Sequence, residues 1–335
     1  MAESQTGLAE IVGEEALHGR RMQAGAILDL MDVTAGRVAS THCSAPVVTL
    51  AFDRVDLAQP ILHGDLIRLE GRLAWVGRSS MMIEVEVFRQ DILIRDSIPV
   101  QRSFVTMVAV DPERRPKRDI PGLLLDTADS RAANARALRQ RGVAQAWLEM
   151  QAEPRPQPPR VEDVEEAFNR DKREYLSPAE TVVRVCRTFM PRHMNLHGTV
   201  FGGDILLWMD RAATYCARHF TRSWDMVTLA MNHILFREPI LTTDLVEMTA
   251  RVVYVRHYTL EVEISVTLQR LDGTRALSHS GYFTVLNYDE AGFKRPIVTG
   301  LRLSADDPES LLRYSQARSR HRFWKERQEG GGVPR

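Results

Sequence analysis

Hydrophobic and polar positions alternate along much of this chain with a period of two. Residues 82–89 set Ile83, Val85 and Val87 against Glu84, Glu86 and Phe88, and residues 66–76 set Ile67, Leu69 and Leu73 against Arg68, Glu70 and Arg72. Such alternation predicts antiparallel strands with one packed face and one wet face. Residues 47–52 form an apolar, β-branched run and residues 92–110 one or two further strands. Ahead of them, residues 22–42 carry Ile27, Leu28, Met31 and Ala35, the spacing of a largely buried helix. A second series follows: a strand over 181–189, a helix over 201–219, and strands over 227–236, 245–255, 260–270 and 276–286. Leu271-Asp272-Gly273-Thr274 is a hairpin turn. Alanine-rich or charged helices are expected over 127–152 and 308–328. The first ends in the stiff linker Glu153-Pro154-Arg155-Pro156-Gln157-Pro158-Pro159, the second in a glycine tail at 330–332.

The two series are copies of each other. Met31-Asp32 and Met209-Asp210 each close a short helical pattern. Val48-Thr49-Leu50-Ala51 is echoed by Val227-Thr228-Leu229-Ala230, and Pro60-Ile61-Leu62 by Pro239-Ile240-Leu241. The resulting division is a first unit over 7–125, a helix and linker over 126–174, a second unit over 175–300 and a trailing helix and tail over 301–335. Each unit is one long helix wrapped by an antiparallel sheet, an α+β arrangement. A single such unit leaves a sheet edge unpaired, and two side by side pair those edges. The segment before Leu17 shows no clear match to the strand at 181–189, so the first unit is expected to lack its first strand.

Composition narrows the function classes. The chain has 335 residues, 44% of them hydrophobic and 26% charged, and zero formal net charge, which favours neither nucleic acid nor an anionic membrane as a partner. No apolar run approaches the roughly 20 residues that cross a bilayer. The acidic residues near the N-terminus argue against a secretory or mitochondrial address. Cys43, Cys186 and Cys216 fit no zinc spacing and no disulfide framework, as expected of reduced thiols in the cytoplasm. No metal and no separate cofactor are expected.

The run Arg192-His193-Met194-Asn195-Leu196-His197-Gly198-Thr199-Val200-Phe201-Gly202-Gly203-Asp204-Ile205-Leu206-Leu207-Trp208-Met209-Asp210 resembles the signature of hotdog acyl-CoA thioesterases. That signature is an Asn, a Gly, a Gly-Gly pair opening a helix, then Met-Asp. The first unit carries a reduced form, and its Gly77-Arg78-Ser79-Ser80-Met81 fits the same family. The tandem order is similar to the cytosolic long-chain acyl-coenzyme A hydrolases. The resemblance implies two tandem hotdog units forming an intrachain pseudo-dimer, an acyl-CoA substrate whose coenzyme A is part of that substrate, and a homo-oligomer, for which a trimer of pseudo-dimers is one form the family takes.

The chemistry agrees with the resemblance. Unpaired N–H groups at a helix N-terminus, reinforced by the helix dipole, can hold a thioester carbonyl. Gly202 and Gly203 leave room for it, and a carboxylate can then activate water or attack directly. Asp210 lies about two turns from its own helix tip, roughly 10 Å along the axis. It is better placed to serve a neighbouring, antiparallel unit, and the family implies sites shared in this way. One composite site then combines Asp32 as base or nucleophile, Asn195 orienting carbonyl or water, and Gly202 and Gly203 as oxyanion hole. The other holds Asp210 and Gly25, with Ala24 at the first glycine and Ala16 or Leu17 aligned with Asn195, and is expected to be weak or dead. Thr49, Thr228, His197, Arg78, Ser79 and Ser80 are candidate substrate contacts, with Arg20 and Arg21 further candidates for phosphate. A hotdog enoyl-CoA hydratase would need a His close after Asp32 or Asp210, and none is there. A non-catalytic acyl-CoA-binding protein is the competing reading.

Overall fold

The computed structural model describes residues 5–18, 21–57, 59–91, 96–152, 159–195 and 198–330. Arg20, Leu196, His197, most of the proline-rich linker and the end of the glycine tail lie outside the described residues.

Two helices of equal length form the centre, α1 (Ala24–Cys43) and, 178 positions later, α3 (Gly202–Thr221). Both end on a residue in the left-handed region, Ser44 and Arg222. The strands of the first unit are β1 (Gln5–Ile11), β2 (Val47–Phe52), β3 (Leu66–Val76), β4 (Ser80–Gln90) and β5 (Ser97–Ala109). Those of the second are β6 (Val183–Arg187), β7 (Met226–Phe236), β8 (Leu245–Val255), β9 (Thr259–Gln269) and β10 (Arg275–Asn287). Among the described residues they make one sheet in the order β1-β3-β4-β5-β2-β7-β10-β9-β8-β6, all neighbours antiparallel. The units join where Phe52 faces Ile234 and Ala51 faces Leu235, so the two inner edges are paired as expected. A two-residue strand, Val55–Asp56, adds to β7 beside this seam.

The first unit does not lack its first strand. Gln5–Ile11 pairs along its whole length with β3, from Gln5 opposite Arg72 to Ile11 opposite Leu66, and occupies the place that β6 holds against β8. Its sequence, with Gly7 and only one large aliphatic before Ile11, carries little strand signal; pairing with a long neighbour supplies what propensity does not.

Inward side chains of both sheet halves close over the helices. Ile67, Leu69, Ile83, Val85 and Val87 pack with Leu28, Met31 and Ala35, and Val246, Met248, Val262 and Ile264 with Leu206, Met209 and Ala213. The outer face is less wet than the alternation implies. Helix α2 (Ala128–Ala152) lays Ala133 and Ala137 on Ala74, Met82 and Phe104. Its Arg136 holds the buried Glu84 with two hydrogen bonds, 2.6 and 2.8 Å. Helix α4 (Pro308–Gly330) repeats the device, with Arg313 on Glu263 and the buried Arg320 on Glu261. The two outer helices meet at Trp147, which packs on Phe323 and Trp324.

Candidate active site

Helices α1 and α3 lie against each other in opposite directions, and their two glycines allow it. A Cβ on Gly25 would fall 2.6 Å from Leu207 Cα, and one on Gly203 2.9 Å from Asp29 Cα. The first turn of each helix is thereby brought to the third turn of the other, where the aspartates sit. Asp32 Oδ2 accepts a hydrogen bond from Gly203 N–H (3.1 Å) and Asp32 Oδ1 accepts one from Thr49 Oγ1 (2.6 Å). Asp210 Oδ2 accepts from Gly25 N–H (2.9 Å) and Asp210 Oδ1 from Thr228 Oγ1 (2.5 Å). Each carboxylate is buried and belongs to the opposite unit's helix N-terminus.

The structure thus brings Asp32, Thr49, Gly202 and Gly203 together, and Asp210, Thr228 and Gly25 together, across the seam between units. A free carbonyl meets an altered donor set, because Gly203 N–H is already engaged by Asp32. The Gly202 N–H stands at the first helical position, where an α-helix leaves its donors without intrahelical partners. Gly202 also lies close on Asp32: a Cβ there would be 2.7 Å from Asp32 Oδ2.

Asn195 sits in the hairpin that leads into α3. Its Nδ2 donates to Thr199 Oγ1 (2.8 Å), and Thr199 N–H donates to its Oδ1 (3.2 Å). The matching hairpin in the first unit corrects the alignment. Leu17 pairs with Met22 and His18 with Arg21, as Met194 pairs with Val200 and Asn195 with Thr199. Asn195 therefore corresponds to His18, and neither to Ala16 nor to Leu17. The first-unit hairpin is one residue shorter, which shifts by one every count that runs from the aspartates back through it.

Arg78, Ser79 and Ser80 form the turn between β3 and β4, closed by Gly77 N–H donating to Ser80 O (2.7 Å). Thr49 pairs with Met107, and Met107 with Met81 beside Ser80. The turn is thus two strand spacings from Thr49, about 10 Å, at the same end of the sheet. His197 lies outside the described residues. Arg21 reaches across the seam to the ring of Tyr288 (4.7 Å).

The surroundings of the two carboxylates differ. Burial pushes Asp32 up from the ordinary carboxylate range to about 7, the neighbouring Asp29 adds to the rise, and Thr49 and Gly203 oppose it. Asp29, whose carboxylate lies on Gly203, is itself pushed up to about 6 by burial, Asp204 and Glu10. Burial also raises Asp210, but there Thr228, Gly25, Arg218 and Arg211 pull downward. A cleft of about 280 Å3 opens at Asp210, lined among others by Gln23, Ala24, Arg211, Tyr215 and Arg218. The sequence reading missed Asp29, although Asp29 and Asp32 are three apart and share a helix face.

Residues 22–94 and 197–272 each match the family described as the Thioesterase superfamily. An uncharacterized acyl-CoA thioester hydrolase of Zymomonas mobilis is 40% identical over 113 residues, 32% of this chain and 76% of that protein. The chain belongs to the thioesterase superfamily. Over 316 residues, 91% of its length, it is 22% identical to mouse acyl-coenzyme A thioesterase 11, and it spans about half of that longer protein. The fold also matches the crystal structure of an acyl-ACP thioesterase from Bacteroides thetaiotaomicron, with TM-score 0.53 and 10% identity over 84% of this chain and 98% of that one.

Proposed function

We propose that the chain hydrolyses acyl-CoA to a free carboxylic acid and coenzyme A, at the half-site built from Asp32, Thr49 and the N-terminus of α3. The observation that carries the reading is the buried Asp32 carboxylate, held between Thr49 and Gly203 at the tip of the partner helix. An acyl carbonyl presented to that tip meets the Gly202 N–H and the positive end of the helix dipole, which favour the negative charge that develops on its oxygen. Asp32, pushed up to about 7, is a far better base at neutral pH than an ordinary aspartate. It takes a proton from water as the water oxygen bonds to the acyl carbon. The C–S bond then breaks and the proton passes to the departing thiolate. Direct attack by Asp32, followed by hydrolysis of the anhydride, uses the same geometry. Asn195, at the entry to α3, is suited to orient the carbonyl or the water once its amide leaves Thr199. The Arg78-Ser79-Ser80 turn is suited to the phosphates of coenzyme A.

A second reading places turnover at Asp210, and the open cleft there favours it. Against it stand Ala24 in place of Gly202 and His18 in place of Asn195. The cytoplasmic setting rests on free cysteines, two of them buried. Association into a homo-oligomer fits the apolar Trp224 and Phe293 left on the surface, and sedimentation measures it. Among the described residues no helix is long and apolar enough to cross a membrane.

The test is release of coenzyme A from acetyl-, hexanoyl- and palmitoyl-CoA by the full chain. Turnover of at least one is expected. Binding of all three with no release would instead make the chain an acyl-CoA-binding protein.

A further inference from the structure

The repeat makes one residue at the Asp32 half-site conspicuous. Gly25 is packed by Leu207, an apolar side chain, whereas the equivalent Gly203 is packed by Asp29. Helix packing at this crossing is therefore satisfied by a hydrocarbon in one copy, and the other copy spends a half-buried carboxylate there. We infer that Asp29 is a positioning residue for hydrolysis, a second carboxylate that acts through Asp32 and strengthens it as the base. The inference rests on the acyl-CoA hydrolysis proposed above.

The geometry supports it in three ways. Asp29 and Asp32 are one turn apart on α1, and both converge on Gly203: Asp32 on its N–H, Asp29 on the space beside its Cα. Two carboxylates in one poorly solvated place cannot both ionise cheaply, so each raises the affinity of the other for a proton. The groups that face Asp29 add to this. Asp204 from the first turn of α3 and Glu10 from β1 are both acidic, and both raise Asp29 itself. At Asp210 the neighbours are Arg211 and Arg218, which act in the opposite sense.

A base that must be ionised to work gives a rate that climbs with pH through its pKa. Removing the charge of Asp29 lowers the proton affinity of Asp32, so the climb moves to more acidic pH, and the base becomes weaker on the plateau. The experiment is the pH dependence of kcat/KM from about 4.5 to 9 for wild type, Asp29→Asn, Asp29→Leu and Asp29→Glu. The substrate is whichever of acetyl-, hexanoyl- and palmitoyl-CoA wild type turns over fastest, and the readout is loss of thioester absorbance. Asp29→Leu copies the residue that the other half-site already accommodates, and Asp29→Asn guards against a packing effect. The acid midpoint is expected to fall by about one pH unit in the Asn and Leu variants, and to stay with wild type in Asp29→Glu. An Asn profile that coincides with wild type overturns the inference while leaving the hydrolysis reading intact. So does a folded Asn variant inactive at every pH, which would make Asp29 a reacting group. No turnover by wild type on any of the three substrates overturns both.

Discussion

The two half-sites hold their aspartates alike and surround them differently. In each, a threonine hydroxyl and a glycine N–H of the facing helix engage the carboxylate. That shared core is architectural: it ties α1 to α3 and buries the acid whether or not chemistry follows. What separates the copies is the ring around the core. Asp32 has Gly202 at its oxygen, Asp29 at its side and Asn195 at the helix entry. Asp210 has Ala24, Leu207 and the backbone of His18 at the matching places, with two arginines nearby. At Asp32 the second acid adds to the rise that burial causes, and at Asp210 the arginines oppose it. The comparison teaches that the retained aspartate is no guide to which copy works.

The strongest way to break that comparison is through the glycines at the crossing. Gly203→Ala and Gly25→Ala would each drive a Cβ into the facing backbone, so both are expected to lose about 3 kcal/mol of stability by denaturant unfolding. They part in the assay: turnover per folded molecule disappears in Gly203→Ala and survives in Gly25→Ala. A smaller effect is expected from Gly202→Ala, which gives the Asp32 half-site the alanine of its counterpart. Its Cβ presses on Asp32 Oδ2 and should cost roughly 10- to 100-fold in kcat with little change in unfolding midpoint.

The smallest effect is on stability against pH. Asp32 and Asp29 are raised to about 7 and about 6, so the folded chain binds these protons more tightly than the unfolded chain. Their contribution is then unfavourable to folding once ionised, and stability falls as pH rises from about 4 towards 7. Asp32→Asn removes part of that slope and is expected to be more stable than wild type at pH 8 by on the order of 1–2 kcal/mol. The difference should vanish near pH 4. Burial raises Asp210 as well, so Asp210→Asn should flatten the slope in the same direction. Thermal unfolding at a series of pH values reads both.

How far the sequence reached can be judged residue by residue. The repeat, both central helices and the pairing of each aspartate with the other unit's glycine were legible, because helix period, spacing and an antiparallel dimer leave few alternatives. The β1 strand was not, since Gln5–Ile11 draws its structure from the register it shares with β3. The partner of Asn195 was miscounted because a hairpin one residue shorter leaves no local mark. The glycine pair was read as room for substrate, yet Gly203 chiefly makes room for the facing helix. Burial of Glu84 depends on Arg136, far along the chain, and no alternation pattern announces that.

The most direct test is the steady-state rate of acyl-CoA hydrolysis by Asp32→Asn and Asp210→Asn measured side by side with wild type. The account predicts a loss of about a thousandfold in kcat for Asp32→Asn and less than about tenfold for Asp210→Asn, with both variants folded. A dead Asp210→Asn beside an active Asp32→Asn would contradict it and move the chemistry to the cleft at Asp210.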